Sequence, residues 1–201
     1  MEKSNFINAY LKTNGHEGGY VNNPADNGGE TYRGIARKFW PKWKGWAFVD
    51  ILKEKYSGAK LDARLASNAG VQAMVEEFYL DNFWMKSQLY EFDQNIADEI
   101  YDTSVNQGRK TAIIYFQKAL NILNRNQRDY QDIEVDGQIG LNTLLAYDAY
   151  MATEQFSSRT YLQLIATLLK VLNYYQLERY IDIANRDKIQ ELFVMGWVAR
   201  V

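Results

Sequence analysis

Cysteine is absent from the 201 residues, which excludes disulfide staples and thiolate-held metals. A single histidine, His16, excludes any multi-histidine site. No run approaches the roughly 18 uninterrupted apolar residues of a membrane span, so membrane insertion is not expected. The opening residues, MEKSNFINAYLKTNG, interrupt their apolar pattern with charges and asparagines and do not resemble a cleavable leader. The expectation is synthesis in the cytoplasm, with a holin, a dedicated export machinery or lysis as the route to any substrate outside it. A strong charge of one sign is also missing. The net charge is −2, too little basic surplus for a nucleic-acid binder, and nucleic acid is not an expected partner.

What is present is a hydrophobic fraction of 47%, enough for one substantial domain or two small lobes. Charge is spread unevenly. Residues 1–60 carry ten Lys plus Arg against six acids, whereas residues 61–201 carry thirteen against nineteen. Within 31–60 the ratio is eight to two, interleaved with Tyr32, Phe39, Trp40, Trp43, Trp46 and Phe48. That mixture suits stacking on sugars beside an anionic polymer, and equally a solvated face over an aromatic core.

Periodicity predicts a mainly helical chain. Ser4 can cap a first helix carrying Phe6, Ile7, Tyr10 and Leu11, with Gly15 as its stop. From Gly18 to Glu30 the stretch GGYVNNPADNGGE favours tight turns and a short hairpin. A helix is expected to resume near Tyr32 and halt at Pro41, followed by another with Trp46, Val49, Leu52 and Tyr56 ending at Gly58. Val71, Met74, Val75, Phe78 and Tyr79 give the clearest amphipathic helix of the first half. Further helices are expected around 96–107, 112–123, 141–151, 157–183 and 187–199, with a polar break at NRNQRDYQDIEVDGQIG. A boundary near residue 90 would separate lobes 1–90 and 91–201, packed as one unit.

Glycosidic hydrolysis needs a carboxylic acid that protonates the leaving oxygen, and often a second carboxylate. Glu17, just past the first helix, and Asp26, in the glycine-rich turn, are spaced for these two tasks. Thr31 can hold a water or a substrate hydroxyl. Tyr20 and Tyr32 can line sugar subsites or fill the core, and Asp26 can instead set an Asx turn. Asp102 and Asn106, four residues apart, share a helix face that can bind an acetamido group or serve interhelical hydrogen bonding. The Asp136, Gly137 element reads as a plain turn, and no metal is expected there.

The string HEGGYVNNPADNGGETYRGIA, residues 16–36, resembles the signature of glycoside hydrolase family 108, muramidases with an E-G-G-Y element followed by D-x-G-G-x-T-x-x-G-I. Glu17, Gly18, Gly19 and Tyr20 match the first element; Asp26, Gly28, Gly29, Thr31, Gly34 and Ile35 match the second. It also resembles the Glu, Asp, Thr triad of phage lysozymes, with the Asp to Thr interval one residue shorter. Downstream, the stretch from Tyr101, VDGQIGLNTL from Val135 and the closing GWVARV are similar to the peptidoglycan-binding module of that family. The resemblance implies a lysozyme-like, two-lobed helical fold with a small β-hairpin near residues 18–32. It implies an enzyme that cleaves the β-1,4 bond between N-acetylmuramic acid and N-acetylglucosamine, with Glu17 as general acid, Asp26 and Thr31 beside it, and no cofactor. The partner is then the glycan strand of peptidoglycan, reached after release or export. The competing reading is a noncatalytic peptidoglycan-binding or secretion-accessory protein on the same fold.

Overall fold

A computed structural model of the chain describes residues 4–14, 18–22, 29–155 and 158–201. Two compact units emerge from the internal packing: Tyr10–Asn82, and Met1–Ala9 together with Phe83–Val201. Among the described residues no helix is long and apolar enough to cross a membrane.

The Tyr10–Asn82 unit begins within helix α1 (Phe6–Asn14). The helix is capped by Asn5, whose side-chain oxygen accepts from Ile7 N at 2.8 Å, and not by Ser4 as expected. Ser4 is buried and donates instead to the Leu89 carbonyl at 2.6 Å. The buried stripe of α1 is Phe6, Ala9 and Thr13, while Ile7 and Leu11 are exposed. Periodicity found the helix and its inward Phe6 and Tyr10, but Ile7 and Leu11 turn to solvent.

Three short strands follow in antiparallel order: β1 (Tyr20–Asn22), β2 (Glu30–Tyr32) and β3 (Ile35–Ala36). The expected helix from Tyr32 to Pro41 is therefore corrected. Arg33 and Gly34 both have positive φ, 48° and 76°, the conformation that a two-residue hairpin demands, and Tyr32 faces Ile35 across it. Pairing with β1 and β3 then fixes Tyr32 as a strand residue. Next come α2 (Trp46–Lys53), α3 (Gly58–Ala66) and α4 (Ala69–Tyr79). Gly58 opens a helix instead of closing one, and α3 escaped the sequence reading because only Leu61 and Leu65 mark its buried face. The α4 pattern holds except at Met74, which is half-buried: Val71, Val75, Phe78 and Tyr79 are buried, and the Asn68 side chain caps Val71 N at 3.1 Å. The helix widens into a π-helical turn at Leu80–Trp84.

In the other unit, short 3-10 turns at Met85–Ser87 and Leu89–Glu91 lead into α5 (Gln94–Gln107), which ends at Gly108 with φ 94°. It packs on α6 (Arg109–Leu123), and both lie against α8 (Tyr161–Arg186). Phe92, Phe116 and Tyr147 form an edge-on aromatic cluster, with centroids 5.0 Å apart from Phe92 to each of the other two. Tyr147 belongs to α7 (Leu141–Ala152). Thr160 and Gln163 form a capping box that starts α8. A 3-10 segment, Lys188–Phe193, then joins α9 (Val194–Val198).

The polar break between α6 and α7 is ordered by two amides. Arg125, Asn126 and Gln127 all adopt positive φ, a conformation that costs roughly 1–2 kcal/mol per residue. Asn124 offsets this by accepting Gln127 N at 3.0 Å and donating to Asp132 at 2.6 Å. Gln117, 1% exposed, donates to Asp136 Oδ1 and the Gln138 carbonyl and accepts Gly137 N at 2.8 Å. The Asp136, Gly137 element is a turn held from α6.

Candidate active-site segment

Glu17 and Asp26, the two carboxylates expected to do the chemistry, lie outside the described residues, as does His16. What is described is the frame that carries them. Immediately after Glu17 the chain is gripped by α3: Asp62 Oδ1 accepts the Tyr20 backbone N–H at 2.5 Å. Gly19 passes so close to that carboxylate that a Cβ there would stand 2.5 Å from Oδ1. A side chain at this point of the E-G-G-Y element would have to turn that carboxylate aside, and with it the bond to Tyr20.

Strand register sorts the remaining residues. Tyr20 pairs with Tyr32 and Asn22 with Glu30, while Val21 pairs with Thr31, which also faces Ala36. Side chains alternate across a strand, so Thr31 occupies one face of the sheet and Tyr20, Glu30 and Tyr32 the other. Thr31 is half-buried and its hydroxyl donates to the Gly29 carbonyl at 3.3 Å. Tyr32 is 1% exposed; its hydroxyl accepts from Gln72 at 2.8 Å and its ring stacks on Trp43 at 6.3 Å. This corrects the sugar-subsite expectation for Tyr32, whose ring belongs to the core.

Glu30 is the focus of a charge network that sequence reasoning passed over. Its carboxylate accepts the Tyr20 hydroxyl at 2.7 Å, takes an ion pair from Lys53 Nζ, and meets Arg37 Nη1 at 2.9 Å. Arg37 in turn clasps Asp50 through Nη2 at 2.9 and 2.8 Å and lies over the Trp46 ring at 4.5 Å. Asp50 and Lys53, three apart on α2, thus place alternating charges against the sheet. Burial would push the Glu30 carboxyl up, but the hydrogen bonds from Lys53 and Tyr20, with the charge of Arg37, together hold it below its ordinary value. The bond to Glu30 raises Lys53, against burial, which acts the other way. Burial, followed by the bond to Glu30, raises Tyr20. A carboxylate so saturated is a fixed anion and a poor proton donor. The sequence signal available was the i, i+3 pair Asp50, Lys53 beside a basic segment.

Asp102 and Asn106 share a face of α5 as expected, and both engage Arg200. Arg200 Nη1 donates to Asn106 Oδ1 at 3.2 Å and stands 3.7 Å from Asp102 Oδ1, while Gln176 of α8 donates to Asp102 Oδ2 at 3.2 Å. The Gln176–Asp102 bond is of the interhelical kind that the sequence left as one alternative, while Arg200 lies beyond α9. Among the described residues no group of three His, Asp or Glu side chains is arranged to hold a metal.

The family model described as glycosyl hydrolase 108 matches residues 10–108, and that of a predicted peptidoglycan domain matches residues 111–201. The family boundary therefore falls between α5 and α6, whereas the internal packing divides the chain at residue 83. Among solved structures the chain is similar to that of Brucella abortus SagA, with 20% identity, a TM-score of 0.51, and coverage of 96% of this chain and 95% of that one. None of the curated proteins matches. At that identity the likeness speaks for the fold, a mainly helical lysozyme-like one with a small antiparallel sheet. With the one family model over residues 10–108 and the peptidoglycan module following it, the chain belongs to glycosyl hydrolase family 108 and is a peptidoglycan-active glycoside hydrolase.

Proposed function

We propose that the chain is an N-acetylmuramidase that cleaves the β-1,4 bond between N-acetylmuramic acid and N-acetylglucosamine. Glu17 is the general acid that protonates the glycosidic oxygen. Asp26 is the second carboxylate, stabilising the oxocarbenium-like transition state or activating water, and Thr31 holds that water or a sugar hydroxyl. The observation that carries this reading is the Asp62 clamp at Gly19 and Tyr20, which fixes the chain immediately after Glu17 to a helix. A general acid requires such a fixed origin, because reacting groups misplaced by about 1 Å lose roughly 10²-fold in rate. Glu30, the other glutamate of the 16–36 segment, is held as an anion by three partners and is not a candidate for the proton donor. Delivery to the wall by a holin, an export machinery or lysis belongs to the same proposal.

The test is digestion of purified peptidoglycan by the wild type and by Glu17→Gln, with the new sugar ends identified by mass spectrometry. A new reducing muramic acid end from the wild type, and a loss of about 10²–10⁴ in rate for the variant, are expected. A reducing glucosamine end would identify a glucosaminidase, and an anhydro end a lytic transglycosylase. Binding to sacculi without any new ends would establish a noncatalytic protein. Each of these three results refutes the assignment.

A further inference from the structure

The strongest feature not used above is a groove of about 420 Å³ in the Tyr10–Asn82 unit, between the 39–44 loop and the end of α4. None of its lining residues comes from the 17–36 segment that carries the family motif. Its floor is aromatic and its walls are charged with opposite signs. We propose that this groove binds the peptide stem of peptidoglycan, a short chain of small side chains bearing several carboxylates and a free amine. The inference rests on peptidoglycan being the substrate polymer.

The groove is preformed. Trp46 Nε1 donates to the Trp40 carbonyl at 2.8 Å and Trp43 Nε1 to the Met74 carbonyl at 3.2 Å, which ties the loop to α2 and α4. The Trp40 ring meets Phe78 at 4.7 Å and 88°, an edge-on contact that fixes its orientation while leaving it 37% exposed. An aromatic surface held in one orientation offers binding area at little entropic cost.

Charge selects the occupant. Lys42 and Lys44 stand on the loop wall, and Glu77 and Asp81, four residues apart, on the helical wall. These four heads make no hydrogen bond or ion pair with one another or with any other described residue. Opposite charges that line one aromatic groove without pairing complement a ligand that carries both signs. The stem's carboxylates suit Lys42 and Lys44, its amine suits Glu77 and Asp81, and its alanine methyls suit Trp40 and Phe78. A neutral sugar chain would leave that segregation of charge without a purpose.

The test uses the full chain carrying Glu17→Gln, isotopically labelled and titrated in an NMR spectrometer with two probes. One is the free tetrapeptide L-alanyl-γ-D-glutamyl-diaminopimelyl-D-alanine; the other is a peptide-free N-acetylglucosamine tetramer. The expected result is a saturating shift of the Trp40 indole resonance with the tetrapeptide. Its affinity should fall roughly tenfold or more in Lys42→Glu/Lys44→Glu and weaken as salt rises. Trp40→Ala should weaken it comparably. Were that variant to lose its folded spectrum, the exposed lysine pair would decide alone. Absence of a tetrapeptide shift, or an unchanged affinity in the lysine variant, overturns the proposal. So does a groove shift produced only by the sugar tetramer. Sugar-end release by the wild type is scored separately, so failure of the hydrolase reading is distinguishable from failure of the groove.

Discussion

Replacing Glu30 by glutamine is the sharpest test of how the sheet beside the active segment is built. The carboxylate is 13% exposed and has three partners, two of them cations, Arg37 and Lys53, that are 30% and 32% exposed. Glutamine keeps an oxygen for one donor, but its amide turns N–H bonds toward a cation that had met an anion. Charge-assisted hydrogen bonds contribute about 1.5–3 kcal/mol when fully desolvated. Water reaches both cations, and Arg37 retains Asp50, which screens the loss toward surface values. The expected cost is about 1–2 kcal/mol. If the Tyr10–Asn82 unit melts as a unit of its own, its Tm should fall by roughly 4–8 °C per kcal/mol. Differential scanning calorimetry of both proteins gives the number, and peptidoglycan digestion at a temperature where both are folded gives the activity. Activity should stay within about tenfold of wild type, against the 10²–10⁴ expected of a lost general acid. A Glu30→Gln protein with wild-type Tm and a rate reduced by 10² or more would refute the structural role.

Three further outcomes follow from the same contacts. Because Glu30 is lowered when folded, its stabilisation is complete above the ordinary carboxylate value, about 4.3, and disappears as pH falls through the lowered one. The Tm difference between wild type and Glu30→Gln should therefore narrow as pH falls below the ordinary carboxylate value, and a difference that does not narrow with acidification would contradict the network. Gly19→Ala must displace Asp62 or β1, so peptidoglycan digestion should drop at least tenfold while thermal stability falls by about 1–2 kcal/mol, and full activity would show that the close approach does not matter. Gln117→Leu leaves the buried Gly137 N–H without its acceptor, at a cost of about 1–3 kcal/mol, which denaturant titration should register in the unit holding α6 and α7.

The helices that sequence periodicity located well are those whose stripe is dense: α4 with Val71, Val75, Phe78 and Tyr79, and α5 with Ile96, Ile100 and Tyr101 before Gly108. Periodicity failed where a partner decides the conformation. The residues after Tyr32 look helical by themselves, yet pairing with β1 and the left-handed Arg33, Gly34 turn make them a hairpin. Ser4 looks like a cap, yet a carbonyl 85 residues away claims its hydroxyl. Of the proposed site, the motif around Glu17 was legible as a string, whereas the Asp62 clamp and the Glu30 network were not. Both depend on α2 and α3 being folded against the sheet, and no local pattern encodes that meeting. Tyr32 is the same lesson inverted: an aromatic in a polar turn region is drawn into the core by Gln72 and Trp43.

The clamp at the start of β1 sets unequal tolerance at two adjacent positions. Asp62 recognises the main-chain N–H of residue 20, which every amino acid except proline supplies, so the tyrosine side chain is irrelevant to the grip. Position 19 is constrained by the opposite property, the lack of any side chain at all. A library that randomises both positions should therefore return glycine at 19 alongside a wide alphabet at 20 that omits proline, and the narrowing of that alphabet beyond proline measures what the Tyr20 hydroxyl contributes through Glu30.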